Sequence, residues 1–312
     1  MLDAVQIVVA LFAMMSVGYV LAAKGWIDEQ VAVFISKVIV NFGVPAAALD
    51  NMLHNFDRAM LGEALLAALV AFGAILLCLL LGRGIAALFH VQQGRKGIFT
   101  VMVGCANTIF IGLPVCQALF GEAAASYVLI YDMAHSLIFW TLGVYLMSRD
   151  GSEKQPFFSG KTLKKLLSPG LLGLLAAILL VLLEVKLPIF AEKTFKYFGG
   201  LCTPLALIYV GYVLYRTGWK NMRLNKDMLL AILGRVVLAP VVFYLVTRLV
   251  RLPAELSMVF VTIAAMPVMN NTPIVAGEYG SDEAFGSQCL ALTMILSLMT
   301  MPLLMLIFNG LY

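Results

Sequence analysis

Ten stretches of about twenty mostly apolar residues, the length needed to cross the hydrocarbon core of a bilayer, follow one another along this chain. They lie at 4–23, 30–50, 60–82, 97–120, 124–147, 166–184, 196–216, 227–250, 255–279 and 284–309. In hydrocarbon every backbone N–H and C=O must find its partner inside the protein, so such stretches become helices. The longest polar break, "SRDGSEKQPFFSGKTLKK" at 148–165, is too short for a soluble domain. Only 12% of the 312 residues are charged and 62% are hydrophobic, whereas a soluble domain carries about 25% charged residues. The fold class expected is therefore an all-α polytopic membrane protein with ten transmembrane helices in the lipid bilayer. The start, "MLDAVQIVVALFAMMSVGYVLAA", has no basic region ahead of its apolar run, so it reads as a first helix and not as a cleaved signal peptide.

Charge sets an orientation. Counted with the residues at the adjoining helix ends (Lys196, Arg216, Arg248), connections after odd-numbered helices hold 13 Lys and Arg, those after even-numbered helices hold six, and neither terminus holds any. The positive-inside rule then places the odd connections in the cytoplasm and both termini outside. Five helices (1–148) precede the linker 149–165 and five (166–312) follow it. An odd number per half gives the halves opposite orientations, the geometry of two inverted five-helix repeats. The formal charge of +4 sits in loops and speaks for orientation, not for nucleic acid. The five cysteines form no CxxC pair, so neither a zinc site nor a disulfide framework is indicated.

Two helices look interrupted. Helix 4 reads "GCANTIFIGLPVCQALFGEAA" and helix 9 reads "PVMNNTPIVAGEYGSDEA". Both contain Asn-Thr, both contain proline, and both end on an aromatic-Gly pair with an acidic residue just beyond. Each is the fourth helix of its half, and interrupted segments at corresponding positions point to a transporter binding site. Proline removes a donor and clashes with the preceding turn; the groups it frees must face protein or a water-filled cavity. The N-terminal end of a restarted half-helix carries roughly half a positive charge, which suits an anion such as a carboxylate. The substrate-binding candidates are Asn107, Thr108, Gly112 and Pro114 in helix 4, with Pro267, Asn270, Asn271, Thr272 and Pro273 in helix 9. Pro267 and Pro273 are read as breaking helix 9, with Asn107 and Asn271 lining one central site. Pro240 and Pro302 read as simple kinks.

At these residues the chain resembles the auxin efflux carrier family of bacteria, relatives of the plant PIN carriers. "NTIFIGLPVCQALFG" with "YVLIYDMAHSLIFW", and "AAMPVMNNTPIVAGEYG", carry the likeness. "GYVLAAKGWIDE", "VNFGVPAAAL", "SPGLLGLLAAILL" and "CTPLALIYVGYVL" extend it over nearly the full length. The resemblance implies crossed broken helices 4 and 9 in a fold like that of sodium/proton antiporters and bile acid symporters. It implies a scaffold of helices 1, 2, 6 and 7 that forms a homodimer, and a transport domain of helices 3–5 and 8–10. It implies elevator-type alternating access, a small organic anion as substrate (auxin-like or a dicarboxylate), and the bacterial inner membrane as location.

Ionisable residues inside the membrane are costly and default to functional candidates. Asp132 and His135 stand three apart, on one face of helix 5; proton coupling or support of the site is weighed evenly against a buried structural pair. Lys37 and Arg235 lie about eight residues inside their helices, where long basic chains snorkel to the interface or pair structurally; compensating a substrate's charge is the functional reading. Asp50, His54 and Asp57 read as polar groups at the loop end of helix 2, and Asn41 and Pro45 as a kink. No cofactor or metal is expected, and the coupling ion, sodium or proton, is not assigned. Tyr131-Asp132 resembles half of an aspartyl protease pair, but the other half needs a Gly-x-Gly-Asp and the chain offers only "YGSD" in a connection. A channel filter or a receptor's output domain is not visible. Transport of a neutral solute is the alternative to an anion.

Overall fold

The computed structural model describes residues 2–55, 61–151, 169–185, 187–217 and 224–311. Most of the linker 149–165, as well as Asp57, lies outside the described residues. In chain order the helices are α1 (Leu2–Ala23), α2 (Glu29–His54), α3 (Leu61–Leu88), α4 (Lys96–Gly104), α5 (Thr108–Phe120), α6 (Ala124–Ser148), α7 (Pro169–Leu182), α8 (Ile189–Gly200), α9 (Cys202–Thr217), α10 (Lys226–Val250), α11 (Ala254–Ala264), α12 (Asn271–Glu278) and α13 (Glu283–Leu311). Among the described residues, five runs are long and apolar enough to cross a membrane: Glu29–His54, Gly62–Leu88, Ala124–Ser148, Ile189–Arg216 and Lys226–Val250. Large apolar side chains such as Leu249, Phe190 and Leu80 are exposed, as expected where lipid and not water is the solvent.

Three boundaries differ from expectation. Helix α3 runs on to Leu88, because nothing in "GRGIAAL" stops a helix. Helix α2 continues past residue 50, so Asp50 and His54 are helical and not loop groups. The segment expected to start at 196 starts at Ile189; its polar residues in "IFAEKTFKYFGG" hid a helix from a purely apolar criterion. Lys193 and Lys196 thus belong to a helix, and moving them out of the even-numbered connections leaves the charge bias in the same direction.

Among the described residues four π-turns interrupt the helices, and three of them end two residues before a proline: Ile39–Gly43 before Pro45, Thr108–Gly112 before Pro114, and Gly234–Leu238 before Pro240. The proline ring clashes with the carbonyl four residues back, and in each case that residue lies inside the turn. Widening the turn accommodates the ring without breaking the helix. In the fourth, Phe139–Gly143, the Thr141 hydroxyl donates to Leu137 O (2.5 Å) and competes with the backbone ladder. Asn41 does the same in the first, donating from Nδ2 to Lys37 O at 2.8 Å.

The chain divides into two compact units. The first comprises 1–68, 109–133 and 167–216. Within it α1 and α9 meet through glycines: a Cβ on Gly18 would come within 2.1 Å of Ile208 O, and one on Gly211 within 2.0 Å of Met15 O. Close backbone approach at small residues is the usual way apolar helices associate in lipid. Tyr19 and Tyr215 close the same interface edge to face, at 5.4 Å.

The second unit comprises 69–108, 134–166 and 217–312, around a core that includes Phe99, Met102, Phe139, Phe243 and Phe260. Its connections meet at one end. Arg95 Nε donates to Asp282 Oδ2 at 2.5 Å. Asp150 Oδ2 accepts from the N–H of Gly97 and Ile98 at 2.5 and 3.0 Å, capping α4 from a distant loop. Gln92 N–H donates to Asp227 at 3.1 Å. The connections after the third, fifth, seventh and ninth expected segments therefore share one end of this unit.

Candidate functional site

Two breaks face each other in the second unit. Helix α4 stops at Gly104, and Cys105 takes an extended conformation (φ −109°, ψ 117°) before the chain turns helical again at Thr108. Helix α11 stops at Ala264 and α12 begins at Asn271. Ala106 and Val268 form an antiparallel bridge between them. Asn107 N–H donates to Pro267 O at 2.8 Å, and Met269 N–H to Cys105 O at 3.4 Å. Val268 N–H reaches Thr293 Oγ1 of α13 at 3.2 Å. Each break thus satisfies the other's backbone, which is how non-helical chain survives at membrane depth.

The amides follow the bridge. Asn107 Nδ2 donates to Asn270 Oδ1 at 3.1 Å, and both residues are buried. The expected partner, Asn271, is instead the first residue of α12 and only half-buried. Thr108 and Thr272 are buried, the latter completely. Among the described residues, Asn270 Nδ2 and Thr272 Oγ1 have no hydrogen-bond partner. Both sit at the N-terminal end of α12, where the helix dipole is positive.

The prolines do less than the sequence suggests. Pro267 lies in the break, where its carbonyl serves the bridge and its missing N–H costs nothing. Pro273 is in the first turn of α12, a position that tolerates proline; it starts the second half and does not break the first. Pro114 likewise opens the α-helical part of α5, seven residues beyond Asn107. The break in helix 4 contains no proline and begins after Gly104. Gly112 and Pro114 are grouped with the first unit, and the other site candidates of helices 4 and 9 with the second.

Arg235 does not snorkel. It is wholly buried in the π-turn of α10 and donates from Nη2 to Ala264 O, the last residue of α11. Lys37 is exposed on α2. On α6, Asp132 is half-buried and His135 fully buried, its ring stacked on Phe139 at 6.3 Å. All five cysteines are buried free thiols.

The first unit holds a cavity of about 640 Å³. Asp50, His54, Gln117, Glu122, Lys196 and Thr203 help line it. Gln117 bridges its wall, donating to Glu122 at 2.7 Å and accepting from Thr203 at 2.9 Å. Sequence reasoning treated Asp50 and His54 as loop groups and passed over Gln117 and Thr203. It also missed Thr293, which lies in an apolar stretch and carries no signal of its own.

The comparisons with known proteins agree in kind. A family model described as membrane transport protein matches residues 3–305. An uncharacterized transporter of Methanothermobacter thermautotrophicus is 22% identical over 305 residues, covering 96% of both chains. The uncharacterized transporter YfdV of Escherichia coli K12 is 21% identical over 300 residues, covering 94% of both. Auxin efflux carrier component 8 of Arabidopsis thaliana is 24% identical over 160 residues, 49% of this chain and 42% of that one.

Proposed function

The chain belongs to the membrane transport protein family, that of the auxin efflux carriers, and from that premise we propose that it is a secondary carrier for a small organic anion, with a carboxylate seated at the crossing of the two broken helices. It is a multi-pass membrane transporter and not an enzyme. The observation that carries the anion reading is the pair of buried, unpartnered polar atoms, Asn270 Nδ2 and Thr272 Oγ1, at the N-terminal end of α12. A buried polar group left unmatched costs about 1–3 kcal/mol. A carboxylate oxygen answers both groups and the helix dipole together. Asn107, through its bond to Asn270, orients that amide toward the ligand.

The architecture proposed is ten spans in two inverted five-helix repeats. Helices 1, 2, 6 and 7 form a dimeric scaffold, and helices 3–5 and 8–10 an elevator-type transport domain in the cell membrane, with both termini outside. Although α5 and the start of α6 are grouped with the first unit and not with the proposed transport domain, the grouping of α1, α2, α7, α8 and α9 in one compact unit, and of α4, α10, α11, α12 and α13 in the other, supports it in part. So does the shared end of the odd-numbered connections in the second unit.

The test is thermal stability of the purified protein against malate, malonate, succinate, indole-3-acetate and neutral analogues. A ligand at about 100 times its dissociation constant stabilises by roughly 2.7 kcal/mol. A selective carboxylate shift, followed by saturable uptake into vesicles, supports the proposal. A response to neutral solutes alone replaces it with the second reading. That reading has its own observation: Asn107, Asn270 and Thr272 are all uncharged.

A further inference from the structure

We propose that Arg235 is a resident cation of the crossing: its guanidinium neutralises the C-terminal ends of half-helices α4 and α11, holds the breaks in register and leaves the field at the site positive. Three observations converge on it. Arg235 is among the largest side chains in the protein with no exposure at all. Its acceptor, Ala264 O, is at the terminus of α11 and not on a passing turn. And the backbone beside it is pressed against α4: a Cβ on Gly234 would come within 2.6 Å of Val103 Cγ2.

The electrostatics balance. Bringing a guanidinium out of water costs several kcal/mol unless opposite charge meets it. Each helix C-terminus carries roughly half a negative charge, so two of them together offset one Arg. In broken-helix carriers such carbonyl ends are a natural seat for an alkali cation. Here that seat already holds a covalently tethered one. A planar, permanently charged fork can donate to several carbonyls at once, and a lysine at the same place supplies the same charge. What remains at the crossing is the positive end of α12, which selects for anions. Arg235 is thus a positioning residue: it acts on the substrate through the half-helices.

The proposal rests on the carrier reading only for the sign of the transported charge, so cations test it without any substrate. The full-length protein is purified as wild type, Arg235→Gln and Arg235→Lys. Each is melted in sodium, potassium or N-methylglucamine chloride at equal ionic strength, with and without low-millimolar guanidinium. Wild type is expected to be indifferent to the cation. Arg235→Gln should melt lower by about 5 °C or more in N-methylglucamine, and sodium, potassium or guanidinium should restore roughly half of the loss. Arg235→Lys should stay near wild type and insensitive to cations. A Gln variant that is destabilised and unresponsive to every cation shows a packing role and overturns the proposal, as does a wild type selectively stabilised by sodium. Should the Gln variant not accumulate, the Lys variant decides: near-wild-type stability means the charge is what the site requires, and equal failure of both means it is not. Carboxylate binding is measured in parallel; a wild type that ignores every carboxylate sinks the anion reading and leaves this one to the cation results.

Discussion

At the scale of single residues, the crossing separates groups that hold the fold from groups that the proposed carboxylate would meet. Thr272 has a fully buried hydroxyl with no partner among the described residues. Thr272→Val is expected to leave stability unchanged or raised, because an unmatched polar atom is removed. It should weaken the stabilising ligand about tenfold, the worth of one hydrogen bond; thermal melts and ligand titration on one preparation read both. Thr293→Val is expected to do the reverse. It strands Val268 N–H and should cost about 1–3 kcal/mol of stability with or without ligand, read by chemical or thermal unfolding. The sequence shows the Asn-Thr pairs plainly but not which asparagine meets Asn107. Asn270 and Asn271 point differently, and only the bridge between Ala106 and Val268 sets that register. Thr293 is illegible for another reason. A threonine in an apolar helix normally bonds its own carbonyl four residues back, as Thr293 also does to Cys289 O, so nothing marks it as an acceptor for another segment.

At the scale of helices, packing and capping carry the testable consequences. Because Gly18 and Gly211 bring the backbones of α1 and α9 into contact, Gly18→Val or Gly211→Val forces those helices apart. The expected cost is about 1–3 kcal/mol, seen as a lower melting temperature. Gly62→Ala, with nothing near its position, should stay within about 0.5 kcal/mol. Asp150 gives a pH dependence. Burial pushes its carboxyl above the ordinary carboxylate value, against the pull of the Ile98 and Gly97 N–H groups, the Arg83 charge and the Ser281 hydroxyl. The folded protein therefore holds this proton more tightly than the unfolded chain does. The contribution is fully present below about pH 3.9, the unfolded value, and is lost as pH rises through the folded one. Melts from pH 4 to 8 should show wild type losing stability with rising pH relative to Asp150→Asn. Wild type gaining on the variant would contradict this. Element ends were the less legible part of the fold. Apolarity marks where a helix is buried in lipid, not where its hydrogen bonds stop, so the amphipathic start of α8 and the final turn of α2 were missed. The prolines marked widened turns and helix starts more often than breaks.

At the scale of the whole molecule, the orientation proposed can be read chemically. All five native cysteines are buried, so they give little background to a membrane-impermeant thiol reagent. Gln93→Cys, at an exposed position in the connection after the third expected segment, is expected to label only from the cytoplasmic side, and labelling from outside alone would invert the topology. The bridge between the breaks has a further consequence, for biosynthesis. Asn107 and Asn270 are 163 residues apart in sequence. While the ribosome is still making the second half, Asn107 N–H and Cys105 O await partners that do not yet exist. Hydrocarbon would not tolerate them bare, so the first break must mature in wet or protein-lined surroundings, with its site completed only when the last helices arrive. The nascent first half is then an unfinished insertion intermediate, dependent on the insertion machinery, and the carrier becomes competent near the end of its own translation.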